Sequence, residues 1–197
     1  MEFIHPCTII ISGPSGSGKT VFTQKLIDEN KFSTKFKQII WCYSEVGSLG
    51  KRNPNFVYNE GLPSEDYYNG EPKLVVLDDL MHQTDDSVAK LFTKISHHRN
   101  VSVISIMQNI FPRNKYSRDI SLNSNYLVIF RNPRDEAQVA RLSSQICPGK
   151  SKFFMDAYNK ATSELHGYLL VDFKGDAPHS RFMTNIFHRH PVVYIPR

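Results

Sequence analysis

Three cysteines in 197 residues, Cys7, Cys42 and Cys147, leave little room for covalent or metal scaffolding. They are odd in number and far apart, and no C-x-x-C pair exists. That excludes a disulfide framework and argues against a structural zinc site. Two of them sit in apolar, strand-like runs, so free buried thiols in a reducing compartment are expected. The adjacent His97 and His98 lack a third ligand at metal spacing. No apolar run approaches the roughly 18 residues of a membrane span, so no membrane partner is expected. The apolar N-terminal segment runs straight into a glycine-rich turn and reads as strand rather than signal peptide. Internal repeats and low-complexity linkers are also missing. Charge is only mildly biased: 24 Lys and Arg against 19 Asp and Glu give +5. That balance permits a nucleic-acid partner without demanding one. The length suits a single domain over 1–197 with its own core, ending in an extended tail over 188–197.

What the chain does have is concentrated at its start. Residues 13–20 read Gly13, Pro14, Ser15, Gly16, Ser17, Gly18, Lys19, Thr20, a complete G-x-x-x-x-G-K-[ST]. The β-branched run Cys7 to Ser12 precedes it, and Val21 to Glu29 carries apolar residues on one helical face. A turn between a strand and a helix N-terminus is the context a phosphate-binding loop requires. Glycines let the backbone turn its N–H groups around phosphate oxygens, and the helix start adds partial positive charge. Lys19 reaches the β- and γ-phosphates, and the Thr20 hydroxyl is offered to Mg²⁺. Gly13 to Thr20 and Val21 form the expected nucleotide-contacting set.

Further apolar runs follow: "KQIIWCYS", "NFVYNEG", "KLVVLDDL", "VSVISIMQ", "NYLVIFRN" and "GYLLVDF". Helical spacing appears in "SVAKLFTKISHH", "DEAQVARLSSQI" and "KFFMDAYNKAT". Short strands alternating with helices predict an α/β fold, a mainly parallel sheet covered on both faces. Residues 46–72, rich in Gly, Pro, Asn and Ser, predict a surface excursion.

The run "LVVLDD" places Asp78 and Asp79 at the carboxyl end of a buried strand. A magnesium nucleotide needs a carboxylate near the loop threonine, and Asp78 suits that role. Asp79, next along, suits the group that orients or deprotonates the attacking water. The following strand ends in Gln108, placed to sense the γ-phosphate. Lone arginines are candidates for completing a neighbour's site: Arg99 in "SHHRN" and Arg118 in "YSRDISLN". Arg131 and Arg134 flank "RNPRD". Arg113 and Lys115 in "FPRNKYSR" form a basic loop suited to the phosphate backbone of DNA.

The order of these motifs resembles the HerA/FtsK superfamily of DNA-translocating ATPases, over roughly residues 8–187. The specific likeness lies in "TKISHHRNVSVISIMQN", "RDISLNSNYLVIFRNPRD" and "GYLLVDF". It is similar above all to viral genome-packaging ATPases, especially those of Maverick/Polinton-type elements and related viruses. The resemblance implies a P-loop NTPase fold of RecA/FtsK type, ATP and Mg²⁺ as cofactors, and double-stranded DNA as partner. It implies a homo-oligomeric ring, pentamer or hexamer, and a capsid or portal-vertex partner. It implies an intracellular setting, a host nucleus or cytoplasmic virus factory, with possible association to the virion. Gln108 matches the family's glutamine after the acidic strand, and a trans arginine ahead of that strand favours Arg99. Asp79 departs from the glutamate usual in cellular relatives. Two other readings use the same loop: a small-molecule kinase, for which no dense arginine lid is visible, and a nucleotide-dependent assembly switch.

Overall fold

Apolar runs buried on both sides build the core. The structure, a computed structural model, describes residues 1–44, 52–80, 86–110, 117–134, 136–175 and 181–196. The strands are β1 (Thr8–Ser12), β2 (Gln38–Tyr43), β3 (Val57–Glu60), β4 (Lys73–Asp78), β5 (Val101–Met107), β6 (Tyr126–Phe130), β7 (Tyr168–Asp172), β8 (Phe182–Thr184) and β9 (Val192–Tyr194). The helices are α1 (Lys19–Asp28), α2 (Asp86–Lys90), α3 (Ser96–His98), α4 (Ser117–Leu122), α5 (Glu136–Ile146) and α6 (Ser151–Ala161). A π-helical segment, Leu91–Ile95, joins α2 to α3. All strands lie in one sheet of order β3-β2-β4-β5-β1-β6-β7-β8-β9.

The six strands from β3 to β6 in that order run parallel. The last three pair antiparallel, a departure from the parallel expectation confined to one flank. Part of the expected C-terminal tail is therefore paired: Val192–Tyr194 is the edge strand β9. Within the 46–72 excursion, β3 is the one strand among the described residues and Glu65–Tyr67 forms a 3₁₀ turn.

Every residue of β1, β5 and β6 is buried. Alternate side chains serve opposite faces, because a strand has a period of two. On one face Ile9, Ile11, Val76, Ile104 and Ile106 pack with Phe22 and Leu26 of α1. On the other Ile10, Val75, Leu77 and Val103 pack with Leu91 and Phe92, Val139 and Leu142 of α5, and Phe154 of α6. Two covered faces explain why these strands read as continuous apolar runs. Burying each such side chain contributes about 1.5–3 kcal/mol. Cys7 and Cys42 are buried free thiols, and Cys147 is a half-buried one.

This packing fixes the phosphate loop. Phe22 meets Tyr168 of β7 edge-on at 4.7 Å and Phe130 of β6 at 5.9 Å. The helix that begins at Lys19 is thus anchored over β6 and β7, with its N-terminus at the carboxyl ends of the parallel strands. Open α/β sheets bind ligands at that edge.

Candidate functional site

The phosphate loop takes the shape its residues dictate. Gly16 (φ +76°) and Gly18 (φ +102°) occupy the left-handed region. A side chain is strained there, which is why glycine is needed. At Gly13 the constraint is space: a Cβ would lie 2.7 Å from Phe130 Cβ and 2.8 Å from Ser17 Oγ. The Ser17 N–H donates to the Pro14 carbonyl at 3.2 Å and closes the turn. No side chain caps α1 at Gly18. Its first N–H groups therefore remain as donors for an anion, supported by the helix dipole. Ser17 Oγ is buried and has no hydrogen-bond partner in the described structure. A phosphate oxygen in the loop would satisfy it.

Lys19 Nζ donates to the carbonyls of Gly13 at 2.7 Å and Pro14 at 2.8 Å, so the ammonium lies across the loop. Burial lowers its pKa, opposed by the negative charges of Asp79 and Asp78. Thr20 and Val21, in the first turn of α1, are exposed.

Strand order supplies the rest. β5 lies between β1, which carries the loop, and β4, which ends in Asp78. Register pairs Ser12 with Met107, and Asp78 with Ile106, so loop, carboxylates and Gln108 converge at one edge. Asp79 has φ +54°, a conformation that Asp adopts more readily than most residues. The chain thus leaves the strand at Asp79, and both carboxylates act on Lys19 despite being neighbours in sequence. The Gln108 side-chain amide donates to Asp79 Oδ2 at 2.9 Å. This bond holds one carboxylate oxygen in place.

Asp78 has a partner that sequence reading missed. The Trp41 indole N–H, from β2, donates to Asp78 Oδ2 at 3.1 Å. Trp41 is 2 % exposed and stacks on Phe56 at 5.9 Å between centroids. Burial raises the Asp78 pKa first; the Trp41 bond lowers it, Asp79 raises it and Lys19 lowers it. The shifts of Asp78 and Lys19 agree: desolvation outweighs their mutual attraction. A partly buried carboxylate destabilised in this way gains from a cation. Mg²⁺ is commonly held by one or two carboxylates, substrate phosphates and water. Asp78 and the Thr20 hydroxyl fit that donor set.

His166 is a second missed residue. A carbonyl oxygen can only accept, so His166 Nδ1 carries the proton and donates to Ser17 O at 3.1 Å. The ring also packs on Gly18, where an added Cβ would come within 3.2 Å of Nδ1.

The remaining candidates lie elsewhere. Arg99 is exposed at the amino end of β5, opposite the phosphate loop. Seven residues of β5 at about 3.3 Å each separate the two ends by roughly 20 Å, beyond the reach of an arginine side chain. Arg118 belongs to α4, and its side chain lies outside the described residues. Arg113 and Lys115 also lie outside the described residues. Arg131 and Arg134 are exposed just after β6. Among the described residues no group of three or more His, Cys, Asp or Glu could hold a metal, and no helix is long and apolar enough to cross a membrane.

A phosphate loop between strand and helix, facing an acidic strand end, defines a P-loop NTPase. The chain belongs to the family described as RNA helicase, whose model matches residues 9–132. No curated protein matches its sequence. Among solved structures it is similar to the genome packaging NTPase B204 of Sulfolobus turreted icosahedral virus 2 in complex with sulfate, at 11% identity over 98% of each chain, with a TM-score of 0.60. The same protein in complex with ATP-gammaS matches at 13% identity over 87% of this chain and 95% of that one, with a TM-score of 0.59. B204 of Sulfolobus turreted icosahedral virus, a DNA-packaging ATPase, matches at 12% identity over 98% of each chain, with a TM-score of 0.58. At such identities the likeness is one of fold.

Proposed function

We propose that this chain is a Mg²⁺-dependent ATPase working as a ring-shaped motor on double-stranded DNA, moving a viral or mobile-element genome into a capsid. The observation that carries this reading is β5, inserted between the phosphate-loop strand and the acidic strand with Gln108 bound to Asp79 at its tip. Gln108 lies at the end of that strand beside the proposed catalytic carboxylate, and the sequence reaches the basic stretch containing Arg113 and Lys115 within a few residues. In this reading Lys19 neutralises the β- and γ-phosphates, and Thr20 and Asp78 hold Mg²⁺. Asp79, held by Gln108, orients or deprotonates the water. Arg99 of a neighbouring chain completes the site. Arg118 is the alternative finger.

The motif order resembling HerA/FtsK packaging ATPases, including those of Maverick/Polinton-type elements, supports DNA as the track and a pentameric or hexameric ring. A capsid or portal-vertex partner and an intracellular setting, nucleus or virus factory, belong to the same proposal. ATP turnover measured alone and with duplex DNA, duplex RNA and single strands tests it. Stimulation by duplex DNA is expected. A response to RNA alone would favour the activity in the family's description. Phosphate transfer to a small acceptor, with no nucleic-acid effect, would indicate a kinase.

Neutralising Arg113 and Lys115 together should weaken duplex binding for all sequences alike. The slope of log K against log salt should flatten by about 2. Titrating salt on two unrelated duplexes checks this, and a change confined to one sequence would remove the basic loop from the DNA path.

Trp41→Phe should keep the stack on Phe56 and remove the donor to Asp78. Partners behind a metal ligand typically contribute about 10–100-fold in metal affinity. The Mg²⁺ concentration for half-maximal ATP turnover should rise about tenfold. An unchanged Mg²⁺ response would show that Asp78 needs no such donor.

A further inference from the structure

The parallel strands β1 and β5 begin side by side at the amino edge of the sheet. Thr8 lies opposite Val103 in the register, and the Val103 N–H donates to Cys7 O at 2.8 Å. The residues just ahead of the two strands therefore meet. His5 Nε2 lies 2.7 Å from Asn100 Oδ1, and His5 Nδ1 lies 2.7 Å from Ser102 Oγ. We infer that His5 is a positioning residue for Arg99: it holds Asn100, and through it the turn that presents Arg99 to the phosphate site of a neighbouring chain. The inference rests on the trans-arginine reading above and adds what aims that arginine.

The hydrogen bonds at His5 run in one direction. Asn100 Nδ2 donates to Gly70 O at 3.2 Å, so the atom facing His5 is Oδ1, which can only accept. The proton of the neutral imidazole thus sits on Nε2, and Nδ1 accepts from the Ser102 hydroxyl. Ser102 Oγ in turn accepts from the Cys7 N–H at 3.1 Å. Burial lowers the His5 pKa first, the Asn100 bond raises it and the Lys174 charge lowers it. The net lowering favours the neutral ring that this pattern requires.

His5 is itself a fixed post, independently of Asn100. Two residues before it, Phe3 is fully buried and meets Tyr126 at 4.7 Å and Phe32 at 5.7 Å. The His5 N–H donates to Ser33 Oγ at 2.8 Å, and its ring lies edge-on to Phe36 at 5.3 Å. Lys174 Nζ donates to Ile4 O at 2.8 Å and to Pro6 O, one on each side of His5.

Asn100 is where such a post acts on Arg99. With φ +57° it reverses the chain from the end of α3 into β5. Asn favours this conformation more than most residues do, and it closes helix ends in the same way. Three segments tie it: His5 at Oδ1, Gly70 at Nδ2, and the Lys73 N–H, which donates to Asn100 O at 3.3 Å. The residue next to it, Arg99, is exposed. A shift at the root of that side chain is carried to its guanidinium, and a misplacement of about 1 Å in a catalytic group can cost about 10²-fold in rate.

The test compares His5→Phe, His5→Gln and Asn100→Gly in the full chain. Phe keeps a ring against Phe36 and loses both hydrogen bonds, whereas Gln returns an N–H donor for Asn100. Gly accepts the left-handed φ and removes the same bond from the other side. Single-turnover ATP hydrolysis should fall about tenfold or more in His5→Phe and in Asn100→Gly, with ATP affinity changed by less than about twofold. His5→Gln should recover most of the rate. Mixed with Lys19→Ala chains, His5→Phe chains should turn over more ATP than the two do separately, because the Arg99 of a Lys19→Ala chain stands beside an intact His5. Parent rates in His5→Phe and Asn100→Gly would overturn the inference. So would a His5→Gln rate no better than that of His5→Phe, or no gain on mixing. A parent rate in Arg99→Ala would instead remove the trans-arginine reading, and this inference with it.

Discussion

Mixing Arg99→Ala chains with Lys19→Ala chains should restore ATP turnover that neither has alone. The expectation follows from where the two residues lie. Lys19 lies across the phosphate loop at the carboxyl edge of the sheet. Arg99 is exposed at the amino edge, about 20 Å away along β5. It cannot serve the loop of its own chain. The turn that carries it is firmly tied. The Arg99 N–H donates to Ile95 O at 2.9 Å. Asn100 follows at φ +57°, its Oδ1 lies 2.7 Å from His5 Nε2, and its Nδ2 donates to Gly70 O at 3.2 Å. An exposed arginine on a tied turn suits a neighbour's active site. Arg99→Ala should bind ATP normally and hydrolyse it about 10³-fold more slowly or worse, the scale of other arginine fingers. Lys19→Ala should lose triphosphate affinity. In a mixed ring the loop of an Arg99→Ala chain meets the arginine of a Lys19→Ala chain, and that one interface is complete. Turnover measured across mixing ratios, with mixed assembly verified separately, should pass through a maximum. A flat profile would exclude Arg99 as a trans residue and turn attention to Arg118.

Asp79→Asn should slow hydrolysis by at least about a hundredfold while leaving ATP bound. The substitution tests chemistry rather than folding, because Asn tolerates the left-handed φ of +54° at this position as Asp does. It removes the negative charge proposed to orient the water or accept its proton, and leaves a group of the same shape beside Gln108. General-base loss costs about 10²–10⁴-fold, so turnover should fall within that range with ATP affinity changed by less than about threefold. Single-turnover hydrolysis alongside equilibrium binding measures both. Turnover equal to the parent's would remove Asp79 from the reaction. Gln108→Ala should show a smaller loss, since it frees Asp79 Oδ2 without removing the carboxylate.

The phosphate loop was legible because its chemistry is local. Eight consecutive residues carry the glycines, the lysine and the threonine, and the left-handed turns at Gly16 and Gly18 need nothing from afar. The strands β1, β4, β5 and β6 were legible because burial on both faces leaves an uninterrupted apolar run. Strand direction was not. "GYLLVDF" reads the same whether it pairs parallel or antiparallel, and β7 is antiparallel to β6. Three-residue strands such as β8 and β9 are too short to show a period. In sequence Trp41 looks like a core residue of an apolar strand, which it also is. Its bond to Asp78 spans 37 positions, and no local pattern announces it.

By itself, then, the sequence determined that this chain has a phosphate loop, an acidic strand end and alternating strands and helices, because each depends on near neighbours along the chain. Tertiary structure decided which residues share the site. The order β4-β5-β1 brings Gln108 to Asp79, and Arg99 is carried to the far edge by the length of one strand. The bond between His166 and Ser17 joins residues 149 apart and ties the loop before β7 to the phosphate loop. Such meetings are fixed by strand order and register, which arise from the packing of whole faces.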